Sequence, residues 1–235
     1  MKTYLYAIFI FIVSCDSVGY NENSQNPILP ASEVRYLESS GQIRAILQLK
    51  QGDSLATAQS YTPAPDQPPL FLGSPMQFRE TRQRWMEERE LDWTGQLRFA
   101  IPRPADSGDR ERLAYEINMD PPTIDSIPTT IDLSRGSRFR FGDSSLEDNE
   151  SLLIFFETRE WNPGVKRILI AGPTSDSYAR LPPEALRELP AGNYELYLVK
   201  QKLSRDTIPG LRASTQIEYF TKRGAVEVVG SQSSE

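Results

Sequence analysis

The sequence predicts an all-β protein, two β-sandwich domains in tandem behind a short targeting segment and a polar tether. Three observations lead there. Runs in which apolar and polar residues alternate recur at short intervals along the chain. Clusters of Pro, Gly, Asp and Ser, the residues that make turns, separate them. No segment of useful length repeats its apolar residues at the helical period, and many short strands at such spacing are the pattern of sandwiches. With 235 residues and hydrophobic and charged fractions of 38% and 25%, the chain has the size and composition for packed cores.

Residues 1–15, MKTYLYAIFIFIVSC, carry one charge at Lys2, an apolar run from Tyr4 to Val13, and small Ser14 ahead of Cys15. A bilayer span takes about 20 residues of helix, so this run is short and reads as a cleaved export signal. Its end, Ile12-Val13-Ser14-Cys15, resembles the lipobox of bacterial lipoprotein precursors. The resemblance implies removal of residues 1–14 and lipid on Cys15, the single cysteine of the chain, making the membrane a partner through that anchor. Asp16 resembles the inner-membrane retention signal of enterobacterial lipoproteins. The β-rich pattern behind a polar stretch resembles instead the envelope lipoproteins of Bacteroidota, which implies the outer membrane, and this is the location expected.

Residues 15–40 lack periodicity, are rich in Asn, Ser and Pro, and read as the tether. The first domain is then expected over 41–121. Its clearest strand is Gln42 to Lys50, where Ile43, Ala45, Leu47 and Leu49 share one face. Further strands are expected at Leu70 to Leu72, Met76 to Thr81, Gln96 to Ile101 and Arg112 to Met119. The stretch from Arg79 to Trp93 has good helix formers but charges nearly all round, and reads as a strand running into a charged loop. DPPTIDSI, residues 120–127, suits an interdomain joint.

The second domain is expected over 122–230, leaving 231–235 as a tail. Its strands are read at Thr130 to Leu133, Ser137 to Phe141, Ser151 to Thr158, Val165 to Ala171, Asp176 to Arg180, Asn193 to Lys202, Ser214 to Phe220 and Ala225 to Val229. A single helical turn is expected from Pro183 to Glu188, with proline early as helix starts prefer. In LPAGNYELYLV, Leu189, Gly192, Tyr194, Leu196 and Leu198 resemble the tyrosine corner of fibronectin type III and immunoglobulin-like domains. That resemblance implies immunoglobulin-like sandwiches.

The function classes narrow by exclusion. Acidic residues outnumber basic ones, 32 to 26, a balance that repels a nucleic-acid backbone. There is no histidine, and the one cysteine stands at the predicted lipidation site. Cys/His zinc sites and His-activated nucleophiles are therefore absent. No glycine pattern that cradles phosphate occurs. Asp143, Glu147, Asp148 and Glu150, like Asp106, Asp109 and Glu111, lack the spacing of a calcium loop and read as solvated turns. No catalytic residue, cofactor or metal is expected. Trp85, Trp93 and Trp161 lie in or beside expected loops and are the candidate contacts to a partner or ligand, against the alternative that they close sandwich cores. The expectation is a non-catalytic, lipid-anchored binding or assembly subunit with a protein partner in the envelope. A carbohydrate-binding lipoprotein of a nutrient uptake system is the alternative.

Overall fold

In the computed structural model the described residues are 26–54, 56–103, 112–158 and 165–230. The signal, Cys15, Trp161, the acids at 106, 109 and 111 and the tail lie outside them. Strands dominate: β1 Ile28–Leu37, β2 Gln42–Gln51, β3 Gln59–Ser60, β4 Leu70–Phe71, β5 Ser74–Pro75, β6 Gln77–Arg79, β7 Arg84–Glu90, β8 Gln96–Pro102 and β9 Arg112–Asn118 come first. Then follow β10 Thr130–Asp132, β11 Ser137–Arg140, β12 Glu150–Thr158, β13 Val165–Ala171, β14 Tyr178–Leu181, the helical turn α1 Pro183–Leu186, β15 Gly192–Ile208, β16 Leu211–Phe220 and β17 Gly224–Val229. The protein is all-β. Among the described residues no helix is long and apolar enough to cross a membrane.

Two hydrophobic cores are present. In the first, Val34, Ile43, Leu47 and Trp85 of one sheet meet Phe71, Leu97, Phe99 and Tyr115 of a four-stranded sheet ordered β5-β4-β8-β9. In the second, Ile154, Phe156, Leu196, Leu198 and Val226 meet Phe139, Ala179 and Leu181 of the pair β11-β14, with Leu186 of α1 closing one side. One large sheet backs both cores, because β15 is longer than its neighbours. Its first residues pair with β17 and β12, and its last ten pair with β16. At about 3.3 Å per residue, the seventeen residues of β15 reach roughly 55 Å, from the second core into the first.

Two expectations are corrected by this sheet. The tether read over 15–40 ends before Ile28, where β1 enters between β2 and β16, antiparallel to one and parallel to the other. Pro30 within β1 has no N–H to give to a ladder. The parallel register runs Ile28 to Leu211 and then Ala31 to Ser214, so the ladder to β16 is interrupted where the proline stands. Nor are the cores made from consecutive halves of the chain. Leu211, Ala213, Ile217 and Tyr219, expected in the second domain, complete the first core. The chain crosses between the cores at 119–130, within β15, and again where β16 gives way to β17.

Other segments agree more closely. β2, β8 and β9 lie within a residue or two of their expected bounds, and their alternate residues are buried as the pattern required. The charged stretch from Arg84 to Glu90 is itself a strand, joined to β6 through a turn at Glu80–Arg82. Arg89 points inward from β7, donating to Ser74 Oγ and to the Leu72 carbonyl (3.3 Å), and so ties the edges of the two sheets together. At the foot of β15 the Tyr194 hydroxyl donates to the carbonyl of Pro190 (2.8 Å), with Leu189 buried beside it.

A polar thread crosses the first core. Tyr115 of β9 shares a hydrogen bond with Ser32 Oγ (3.2 Å), and Ser32 shares one with Thr215 Oγ1 (2.7 Å), linking the two sheets where all else is apolar. Burial pushes the Tyr115 phenol up to about 12, with hydrogen bonds to Ser32 and Thr215 offsetting only part of the rise. Because the folded value lies above the unfolded one, the stabilisation is complete below about pH 10 and is lost as pH climbs toward 12. Denaturant melts should hold a constant midpoint to about pH 10 and fall beyond it. Tyr115→Phe should cost about 1 kcal/mol at neutral pH and make the alkaline limb shallower, leaving the part owed to Tyr36, Tyr197 and Tyr219, whose phenols burial also raises. An unchanged limb would refute the attribution to this phenol.

Candidate functional site

Along β15, residues of even number face inward. Tyr194, Leu196 and Leu198 enter the second core, and Ile208 packs on the first. The inward positions that follow Leu198 are Lys200 and Lys202, then Ser204 and Asp206 before Ile208. Neither core can use a lysine, and yet Lys200 is only 3% exposed. Its ammonium meets Glu150 Oε2 at 3.0 Å, a carboxylate equally buried, and donates to the carbonyl of Asp120 at 3.2 Å. Lys202 meets Glu147 Oε2 at 2.7 Å and Glu150 Oε1 at 3.4 Å. Burial pulls the Lys202 ammonium down, but the hydrogen bond to Glu147 and the charges of Glu150 and Glu147 outweigh it, so its pKa stands above the ordinary lysine value.

The acids are held for this by their backbone. The Glu147 N–H donates to Glu150 Oε2 (3.1 Å), and the Gly172 N–H donates to the Glu150 carbonyl (2.9 Å). Gly172 lies so near this turn that a Cβ on it would stand 1.9 Å from the Glu147 carbonyl oxygen. Only glycine allows the approach. The cluster joins three parts of the chain: the end of β9 through Asp120, the start of β12 through Glu150, and the shared strand. Two of the four acids read as a solvated turn thus belong to a structural cluster, and Glu150 is buried outright. The signal was present in the sequence, since Lys200 and Lys202 continue the inward parity of Tyr194, Leu196 and Leu198.

The opposite face of the sheet is open and runs across both cores. Register places Ser151, Gln201, Glu218, Arg35, Arg44 and Glu88 in one row from β12 to β7. Arg35 donates twice to Glu218 Oε2 (3.0 and 2.7 Å) and lies 5.2 Å over the Phe220 ring. Gln201 donates to Glu218 Oε1 (2.9 Å) and Gln42 to Glu88 (2.7 Å). Shallow grooves follow β1 along this row, lined by Glu33, Arg35, Arg44, Ile46 and Gln216. Toward the outer edge the face becomes apolar. Phe155 and Tyr197 stack at 4.8 Å, and Arg223 stands 5.3 Å over Tyr197 while paired with Glu157 and Glu195, both at 2.8 Å. Val165, Leu169 and Leu203 are more than half exposed.

The tryptophans stand elsewhere. Trp85 is 5% exposed and packs 5.0 Å from Phe78 in the first core. Trp93 packs against Tyr36 (5.3 Å) and Tyr219 (5.2 Å) and donates to the Met119 carbonyl (3.1 Å). Both rings are engaged in packing, Trp93 only partly buried, and Trp161 is outside the described residues. Among the described residues no group of three or more Asp, Glu or Cys could hold a metal ion. What the face offers is recognition chemistry: planar donors and acceptors beside exposed apolar side chains. No protein-family model matches the chain, and no curated protein does.

The junction makes its own prediction. Removing one member of a buried pair leaves the other charge uncompensated, so Glu150→Ala or Lys200→Ala should each cost about 3–5 kcal/mol. Replacing both by apolar residues, Glu150→Leu with Lys200→Met, should recover most of the loss. Single variants within about 0.5 kcal/mol of the parent in a denaturant melt, the range of ordinary surface substitutions, would mean that the cluster does not hold the junction.

Proposed function

We propose that the protein is a non-catalytic, lipid-anchored envelope protein of the outer membrane that serves as a binding or assembly subunit, presenting one continuous sheet face to an envelope protein partner. The observation that carries this reading is the distance between the predicted anchor and the fold. β1 begins thirteen residues after Cys15, a length that spans at most about 45 Å when fully extended. The Ile28 N–H bonds the Gly210 carbonyl (2.9 Å), at the tip of the β15–β16 hairpin. From there β1 runs parallel to β16, toward the second unit. A lipid on Cys15 would therefore keep the hairpin tip within about 45 Å of the bilayer.

The second unit is, in this proposal, an immunoglobulin-like sandwich. Support comes from the strand order β10-β17-β15-β12-β13 opposite β11-β14, from the parallel contact of β10 with β17, and from the tyrosine at the start of β15 whose hydroxyl bonds back to Pro190. In such domains the strands B, C, E, F and G would correspond to β11, β12, β14, β15 and β17. β16 is then an insertion between F and G that returns through the first unit. The carbohydrate-binding alternative has less to rest on, because Trp85 is buried in the first core and Trp93 packs against it.

Metabolic labelling with a fatty-acid analogue should mark the wild-type chain and fail on Cys15→Ala. Affinity recovery from the envelope should then bring down a defined outer-membrane protein with the wild type. Label that persists without Cys15 would sink the anchor. Turnover of a glycan or peptide by the purified chain, abolished by one carboxylate substitution, would sink the non-catalytic reading.

A further inference from the structure

We propose that the open edge of β13 is a strand-addition site for an extended segment of a partner protein, one that carries an acidic residue with apolar residues two positions to either side. The inference rests on the binding-subunit reading and deepens it, by giving the partner's chemistry. β13 is the last strand of the large sheet. It pairs with β12 from Val165 to Ala171 and with no other described strand. Alternate peptide groups of a strand point to opposite neighbours, so its far side carries a row of N–H and C=O groups that a further strand can meet.

Edges of this kind are commonly blunted by proline, bulges or inward charges. β13 contains no proline. Its inward charge, Lys166, sits near one end and is paired to Glu188 at 2.7 Å, leaving Arg167 to Ala171 without a guard. The outward side chains supply the specificity. Val165 and Leu169 are 52% and 60% exposed, and Arg167 stands between them on the same face. Arg167 has no hydrogen-bond or ion-pair partner among the described residues. Beside it in register lies Phe155, stacked on Tyr197, so the apolar surface continues inward from the edge.

A strand added in register sets its own outward side chains opposite Val165, Arg167 and Leu169, and the complementary set is apolar, acidic, apolar. A second copy of this chain fits less well. Self-pairing about Arg167 opposes two guanidinium groups, and self-pairing about Ile168 leaves both without a counter-charge.

The test is fluorescence anisotropy with the full chain, purified in detergent, and a short labelled peptide that alternates threonine with valine, aspartate and valine. Saturable binding is expected. Lysine in place of the aspartate should weaken it about tenfold, and Arg167→Glu should invert that preference. Methylating one alternate set of peptide amides should abolish binding and methylating the other set should leave it, since only one set faces β13. Absence of binding, or binding indifferent to the sign of the charge at position 167 and to both methylation patterns, would overturn the proposal. So would a concentration-dependent dimer in light scattering in which the β13 amides are protected from exchange. None of these outcomes depends on lipid at Cys15, so this inference and the anchor fail separately.

Discussion

A strand that serves two cores must cross the gap between them, and the buried pair Lys200–Glu150 is what fills that crossing. Inward positions on β15 recur every second residue, so a slip of one residue would turn Tyr194, Leu196 and Leu198 out of the second core. Apolar packing alone penalises such a slip but tolerates partial matches. Two opposite charges at 3.0 Å, each 3% exposed, tolerate none. If either is moved, a charge is left desolvated and unpaired, which is among the most costly local errors a fold can make. The pair therefore sets the register of β15 against β12. Through the Asp120 carbonyl it also fixes where β9 ends and the second unit begins.

How far the sequence reveals this can be read from particular residues. Ile43, Ala45, Leu47 and Leu49 alternate cleanly, and β2 is found where they put it. Tyr194, Leu196 and Leu198 alternate likewise, and β15 is found along them. β1 was hidden because residues 15–40 are polar and lack a clean alternation, and no local rule shows that the ladder to β16 is broken where Pro30 stands. Its partner in sequence is farther away still: Ser32 meets Thr215 across 183 positions, and no local pattern carries a pairing of that range. Domain boundaries failed for the same reason, since Leu211 to Tyr219 alternate correctly but say nothing about which core they enter. The tryptophans were ambiguous between packing and display. Tyr36 and Tyr219, which close around Trp93, come from elements whose neighbourhood only the fold discloses.

The outward face follows from the same architecture. Because one sheet backs both cores, the side chains on its far side form rows that cross the molecule without a seam. Arg35, Gln201 and Gln216 converge on Glu218, so much of the polar part of the face is already held in fixed positions. A surface arranged in this way loses little side-chain freedom when it is covered. The apolar part, from Phe155 and Tyr197 to the edge, is continuous with it. The continuity of this face and its rigidity have one origin in this protein.

The insertion of β1 between β2 and β16 has a consequence in time. A chain made from its N-terminus releases Ile28 to Met119 early, but the sheet that covers those residues lacks its neighbour until Leu211 to Phe220 have emerged. The earlier part cannot close its core on its own, and the later part needs β17, which comes last of all. Neither unit can therefore be completed until almost the whole chain has been made. This order of assembly delays compaction until nearly the whole length has been synthesised.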